Sequence, residues 1–157
     1  MKFVSEATSI PVPQVYCAFE HKGRVYILME RIQGQMLANE WFQRSPKSQA
    51  RILGQLRDML AELRTLQPSN EMAVSNVLGG PIYDQRLPWK STWGPFRTIR
   101  DFHQELWNGI KLEDVKPGGL PPDLQILISF HEKNWGSSVF THGDLSSLNI
   151  LARGDDV

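Results

Sequence analysis

The 157-residue sequence has little cysteine, no excess charge of either sign and no long hydrophobic run. Its one cysteine, Cys17, cannot form an internal disulfide, and no Asn-X-Ser/Thr sequon occurs, so both features fit a reducing, cytoplasmic setting. Seventeen basic residues balance seventeen acidic ones, which argues against a broad surface for nucleic acid or for an anionic membrane. The nearest approach to the roughly 18 apolar residues of a membrane-spanning helix is the short run Leu124–Phe130.

The rest of the composition is that of a chain that folds. Hydrophobic residues make up 41% of it, and the 12 glycines and 10 prolines are too few for a low-complexity chain. No internal repeat is visible at the periods typical of repeat proteins. The length predicts one domain, or one large piece of a bigger one.

The first part of the chain has the pattern of a helix followed by a hairpin. A helix is predicted from Met1 to about Thr8, since the prolines of Ile10–Pro13 push the residues before them out of the α region. Two β-rich runs, Gln14–Glu20 and Arg24–Arg31, are separated by a glycine-containing turn, which predicts a hairpin. We expect Cys17 to be buried in the first of these strands.

Helices are predicted for much of the remaining sequence. Ser45 as N-cap and Pro46 at the first helical position begin the clearest amphipathic helix, which runs to about Gln67. Thr98 and Asp101 have the spacing of a capping box at the start of another helix. Further helices are predicted over Met36–Arg44 and from Asp123 to about Lys133.

Residues 138–152 carry the most informative pattern. Short strands are predicted over Ser138–Thr141 and Asn149–Ala152, and in the loop between them Asp144 precedes Asn149 by five residues. The catalytic loop of protein kinases, His-Arg-Asp-x-x-x-x-Asn, has the same spacing. Such a bend can point a carboxylate at an attacking hydroxyl and a carboxamide at Mg²⁺ on the phosphates, which is the positioning that phosphoryl transfer needs.

With Gly143 where that motif has arginine, the stretch Thr141-His-Gly-Asp-Leu-Ser-Ser-Leu-Asn-Ile-Leu151 resembles the aminoglycoside phosphotransferase family, and especially its large fungal branch. The resemblance extends over nearly the whole chain. Further segments that resemble this branch are Ile10–Tyr16, Gly23–Gly34, Arg86–Pro88, Gly94–Phe96 and Asp101–His103.

The resemblance implies an α+β, protein-kinase-like fold in two parts. Residues 1–34 would be a remnant of the small β lobe, with a helix end, a hairpin and a hinge. Residues 35–157 would be a mainly helical large lobe through the catalytic loop, incomplete at its C-terminus. The implied enzyme is a kinase that transfers the γ-phosphate of ATP, bound with Mg²⁺, to a hydroxyl of a small molecule. That acceptor could be an aminoglycoside, a choline-like compound, a sugar or a peptide.

The family's site residues carry over by position. Asp144 would be the catalytic base or hydroxyl-orienting carboxylate, Asn149 a Mg²⁺ ligand, and His142 a structural support for the loop. The adenine of the nucleotide would meet the hinge, through the backbone carbonyl of Glu30, the backbone N–H of Ile32 and the side chain of Met29.

Several parts of the family's site have no counterpart in the sequence. Its phosphate-covering loop, its strand lysine and the glutamate partner of that lysine should precede Met1, and its metal-binding aspartate belongs to a strand that would begin at Val157. Asp155 and Asp156 lie in the turn before that strand and are not assigned this role. Because these parts are missing, we expect the chain to be truncated at both ends. The loss of one preorganised electrostatic group commonly costs about 10²–10³ in rate, so we also expect this chain to be inactive or nearly so.

Other interpretations stay open. The chain could be a truncated or degenerate relative that acts as a non-catalytic binding module. A hydrolase with a lone His142–Asp144 pair would need a nucleophile, and neither Ser146 nor Ser147 has a strand–turn–helix elbow around it. Aromatic residues of the irregular segment and the next helix are interpreted as anchors of a long loop in preference to a pocket wall: Trp89, Trp93, Phe96, Phe102 and Trp107.

Overall fold

The computed structural model describes residues 1–67, 72–84, 90–107 and 119–157. Contacts divide the chain into a first unit, residues 1–67 and 139–157, and a second unit, residues 68–138. The Arg86–Pro88 segment and Trp89 lie outside the described residues. The boundary predicted at residue 34 between a small and a large lobe stays a prediction.

The first unit contains most of the regular structure. Its elements are α1 (Lys2–Ala7), β1 (Val15–His21), β2 (Arg24–Met29), β3 (Gln35–Met36), α2 (Leu37–Glu40), a 3₁₀ turn (Trp41–Gln43), α3 (Pro46–Thr65) and β4 (Leu151–Ala152).

The predicted hairpin is present, with β1 and β2 antiparallel and His21 opposite Arg24. Lys22 and Gly23 form its turn at φ 51° and 69°, the left-handed conformation that a two-residue hairpin loop requires. The prediction that Cys17 is buried is wrong. Every residue of the two strands after Val15 is exposed, because no second layer among the described residues covers either face of this two-stranded sheet.

Helix α3 forms where its caps predict. The Ser45 hydroxyl accepts a hydrogen bond from the Ser48 N–H, and Pro46 occupies the first turn. The predicted helix over Met36–Arg44 is only partly correct, since the segment begins in β3 and ends in a 3₁₀ turn. No helix within the described ranges is both long and apolar enough to cross a membrane.

The hydrophobic core of the first unit packs α3 against α2 and β4. Leu37, Ile52 and Ala152 are buried together, at 3%, 0% and 3% exposure. Partly buried residues packed against them are Trp41, Leu56, Ile150 and Val157. This core therefore lies directly beside the pairing of β3 with β4.

Strand β4 pairs antiparallel with β3, so that Gln35 lies opposite Ala152 and Met36 opposite Leu151. The strand predicted over Ser138–Thr141 is wrong. Its apolar residues have the local pattern of a strand, but they find no strand partner among the described residues. Phe140 instead packs its ring 5.4 Å from that of Phe3.

The second unit has two described helices, α4 (Ile99–Leu106) and α5 (Pro122–His131). The predicted capping box is confirmed, since the Thr98 hydroxyl accepts from the Asp101 N–H and the Asp101 carboxylate from the Thr98 N–H. Trp93 and Ile128 are each 2% exposed. They are the buried hydrophobic residues of the described part of this unit.

The Glu62 carboxylate, on α3, holds the loop that follows α1 through two hydrogen bonds. The Ser9 backbone N–H donates to Glu62 Oε1 at 2.6 Å, and the Ser9 hydroxyl donates to Oε2 at 2.8 Å. These hydrogen bonds, the backbone one first, lower the pKa of Glu62 from its ordinary value of 4.5 against a smaller opposing effect of burial.

We expect Glu62→Gln to destabilise the first unit at neutral pH and to lose that effect in acid. A carboxylate with a lowered folded pKa stabilises the fold above its unfolded value, and this contribution disappears as pH falls through the folded value. The gap in urea midpoint between wild type and variant should therefore shrink as pH falls below 4.5. Glu6→Gln, at an exposed position of α1, is the matched control. A gap that stays constant from neutral pH to about pH 3 contradicts the prediction.

Candidate functional site

The structure brings Asp144 and Asn149 together in one tight bend. The Asn149 side-chain Nδ2 donates to Asp144 Oδ2 at 2.9 Å and to the Asp144 backbone carbonyl at 2.9 Å. The backbone closes the bend as well, because the Ser146 N–H donates to the Asp144 carbonyl at 3.1 Å. The carboxylate and the carboxamide therefore share one location, and both side chains are exposed.

His142 lies at the entrance of the same bend. Its ring Nδ1 accepts a hydrogen bond from the Asp144 backbone N–H at 3.3 Å. Gly143 between them has φ 80°, a left-handed conformation that favours glycine. A Cβ at this position would meet nothing within 4 Å, so the backbone conformation and not space accounts for the glycine.

Two backbone hydrogen bonds and a strand pair connect the bend to the segment after the hinge. The Leu37 N–H donates to the Ile150 carbonyl at 3.0 Å, and the Ala38 N–H donates to the Ser147 carbonyl at 3.1 Å. Close packing continues this contact, since a Cβ on Gly34 would lie 3.1 Å from the Ala152 carbonyl oxygen. The bend is therefore held against β3 and the start of α2.

The hinge residues Met29, Glu30 and Ile32 are all exposed. The Glu30 N–H donates to the Gln14 carbonyl at 2.8 Å, and the Glu30 carboxylate accepts from the Gln14 N–H at 3.2 Å. The Glu30 carbonyl and the Ile32 N–H make no hydrogen bond with another described residue. This main-chain acceptor and donor are thus accessible to a ligand, and the chain reaches β3 three residues after Ile32.

The donor set of the bend suits a hard cation. With Nδ2 engaged by Asp144, Asn149 keeps its Oδ1, and Asp144 keeps its Oδ1, free of hydrogen bonds to the described residues. Mg²⁺ takes oxygen ligands and is commonly held by one or two protein groups together with substrate phosphates and water. Across the described ranges no group of three or more His, Cys, Asp and Glu side chains could hold a metal.

The two aspartates of the following turn are engaged elsewhere. Asp155 Oδ1 accepts from the Ser48 hydroxyl and lies 3.4 Å from Arg44 Nη1. Asp156 Oδ1 accepts from Arg51 Nη2 at 2.7 Å. Both carboxylates therefore anchor the turn to residues in and before α3.

Sequence reasoning missed a histidine pair in the second unit. His103 Nδ1 lies 2.7 Å from His131 Nδ1, so one ring must donate and the other accept. Burial, followed by the charge on His131, lowers the pKa of His103. The Trp135 ring stacks 5.4 Å from that of His103. The two histidines are 28 residues apart, so no local spacing could have indicated this contact.

The family model APH, which describes the phosphotransferase enzyme family, matches residues 1–157. No curated protein and no solved structure matches the chain. The bend and the hinge thus lie within a single family match.

Proposed function

The chain belongs to the phosphotransferase enzyme family, APH, and from this premise we propose that it is a kinase domain that transfers the γ-phosphate of ATP to a hydroxyl of a small molecule. Membership implies a protein-kinase-like fold, and the predicted α+β fold class is confirmed. The coarse activity, phosphotransfer, follows from the family. The nucleotide, the metal and the residues that serve them belong to the proposal.

The observation that carries the proposal is the hydrogen bond from Asn149 Nδ2 to Asp144 Oδ2 at 2.9 Å. It fixes the carboxamide and the carboxylate side by side, so that each presents one oxygen that accepts no hydrogen bond from the described residues. In the proposed reaction Asp144 orients the acceptor hydroxyl and takes its proton, while Asn149 would hold Mg²⁺ with its side-chain oxygen. His142 keeps the Asp144 backbone in place through its Nδ1.

Bound Mg²⁺ and ATP would supply the transferable phosphoryl group and neutralise its charge. The hinge supports the same proposal from the other end of the nucleotide. The adenine edge would accept from the Ile32 N–H and donate to the Glu30 carbonyl, two groups that are exposed and make no hydrogen bond to another described residue. Exposed Met29 is the apolar contact proposed behind the ring. We infer a cytoplasmic location from the single cysteine and the missing sequons.

The test is the thermal unfolding of the chain with ATP, with and without Mg²⁺. A ligand that binds only the folded state at about 100 times its Kd stabilises by about 2.7 kcal/mol. We expect such a shift with Mg²⁺ and ATP together, and we expect Asp144→Ala or Asn149→Ala to lose its Mg²⁺-dependent part. Asp58→Ala and Asn39→Ala, both at exposed positions of helices α3 and α2, are the matched controls.

The outcomes separate the alternatives. Loss of the Mg²⁺-dependent part in the two site variants, with both controls unchanged, supports the proposal. If ATP raises the unfolding temperature equally with and without Mg²⁺, and equally in wild type and both site variants, the result favours a non-catalytic binding module. A wild-type chain that does not respond to ATP at all contradicts the proposed function.

A further inference from the structure

The turn Arg153–Asp156, which follows the candidate site, is held by a cluster of polar side chains. Arg44 lies at the centre of this cluster. Arg44 Nη1 donates to the Gly154 carbonyl at 2.7 Å and lies 3.4 Å from Asp155 Oδ1. Arg44 Nη2 donates to Glu40 Oε2 at 3.0 Å. One guanidinium therefore joins the end of α2 to a turn 110 residues further along the chain.

Helix α3 completes the cluster from a second side. The Ser48 hydroxyl donates to Asp155 Oδ1 at 2.5 Å, and Gln55 Nε2 donates to the Asp155 carbonyl at 2.6 Å. Gln55 Oε1 in turn accepts from the Val157 N–H at 3.1 Å. Both the backbone and the side chain of the turn are held.

Burial indicates what this cluster does. The Arg44 side chain is 10% exposed, and its Nε is buried with no hydrogen-bond partner among the described residues. An unpaired buried N–H costs stability. The Glu40 and Asp155 carboxylates that pair with Arg44 are each 42% exposed, and ion pairs with exposed partners contribute little to stability. We therefore interpret the cluster as one that fixes the geometry of the turn, a role that buried polar groups have in some proteins. The planar, forked guanidinium meets the Gly154 carbonyl and the Glu40 carboxylate at once, which a lysine cannot reproduce.

We propose that Arg44 is a positioning residue for the Asp144–Asn149 bend, an inference that rests on the proposed function of that bend. The turn that Arg44 holds follows β4 directly, and β4 begins two residues after Asn149. Without the guanidinium, the Glu40 and Asp155 carboxylates lose their shared cation, and the turn keeps only the contacts from α3. The β3–β4 pairing and the backbone bonds that hold the bend then open more often.

The decisive experiment is hydrogen exchange on Arg44→Met, which keeps a long apolar stem and removes the guanidinium. We expect exchange of the Leu37 and Ala38 amides, which bond to residues beside the bend, to accelerate about tenfold or more. Amides of the β1–β2 hairpin should not change. Arg57→Met is the matched control, because Arg57 is on α3 with its side chain 80% exposed and pairs only with the adjacent Asp58 among the described residues.

Selective acceleration at Leu37 and Ala38 supports a positioning role. Equal acceleration throughout the first unit, or none, overturns it. This readout needs no nucleotide, so it decides the proposal even where the proposed function fails.

A second readout separates positioning from plain stability. If ATP raises the unfolding temperature of the wild-type chain more with Mg²⁺ than without it, Arg44→Met should lose most of that additional shift. The shift that ATP produces without Mg²⁺ should remain. Arg44→Lys, which keeps the charge without the fork, should recover stability and not the Mg²⁺ response. A full Mg²⁺ response in Arg44→Met contradicts the inference.

Discussion

Replacement of Trp93 by alanine is expected to destabilise the second unit by about 3–5 kcal/mol, the usual cost of removing a large buried aromatic side chain. Trp93 is only 2% exposed, and its backbone exchanges two hydrogen bonds of 2.8 Å with Ile82. The Lys90 ammonium lies over the Trp93 ring, 5.5 Å from its centroid. Loss of the ring removes both apolar burial and this cation–π contact.

The measurement is urea unfolding followed by circular dichroism, with hydrogen exchange at the Ile82 and Phe96 amides as the local readout. Tyr83→Ala is the matched control, because that side chain is 69% exposed in the same segment and should cost far less. Trp93→Phe should lose less stability than Trp93→Ala. Phenylalanine keeps an aromatic ring in the core, and it removes the indole Nε1, which is buried without a partner among the described residues. Equal midpoints for Trp93→Ala and wild type would show that Trp93 is not a core residue.

The features that the sequence predicts correctly depend on neighbours along the chain. Ser45 and Thr98 cap their helices because each hydroxyl needs only an N–H three residues ahead. The hairpin turn at Lys22–Gly23 needs only local φ values. The Asp144–Asn149 contact is also local, since five residues of backbone bring the two side chains together. The catalytic and metal-binding roles predicted for these residues stay predictions.

The features that the sequence does not predict require partners from elsewhere in the chain. Residues 138–141 have the composition of a strand, but a strand forms only with a hydrogen-bonded neighbour, and the described residues provide none. Cys17 has a strand neighbour and still lacks a covering layer. The Arg44–Gly154 and His103–His131 contacts span 110 and 28 residues, beyond the range of any helix or strand period.

Ile52→Ala is expected to cost the first unit about 2–5 kcal/mol and to loosen the candidate site at the same time. Ile52 is 0% exposed and packs with Leu37, just after β3, and with Ala152 in β4. A cavity at this point lies beside the strand pair that holds the bend, so residues that shift to fill it will disturb β3 or β4. The free energy of unfolding, measured in urea, should fall in the order wild type, Ile52→Val and Ile52→Ala, with about 0.5–1.5 kcal/mol for the first step.

The neighbouring residue on α3 provides the control. Leu53 is 53% exposed, so Leu53→Ala removes a similar volume without opening a buried cavity and should leave stability nearly unchanged. If the core positions the bend, Ile52→Ala should also reduce the Mg²⁺-dependent part of the ATP response at temperatures where the protein is still folded. Similar losses for Ile52→Ala and Leu53→Ala would contradict the burial of Ile52. A large loss of stability with an unchanged Mg²⁺ response would show that the bend keeps its geometry without this core.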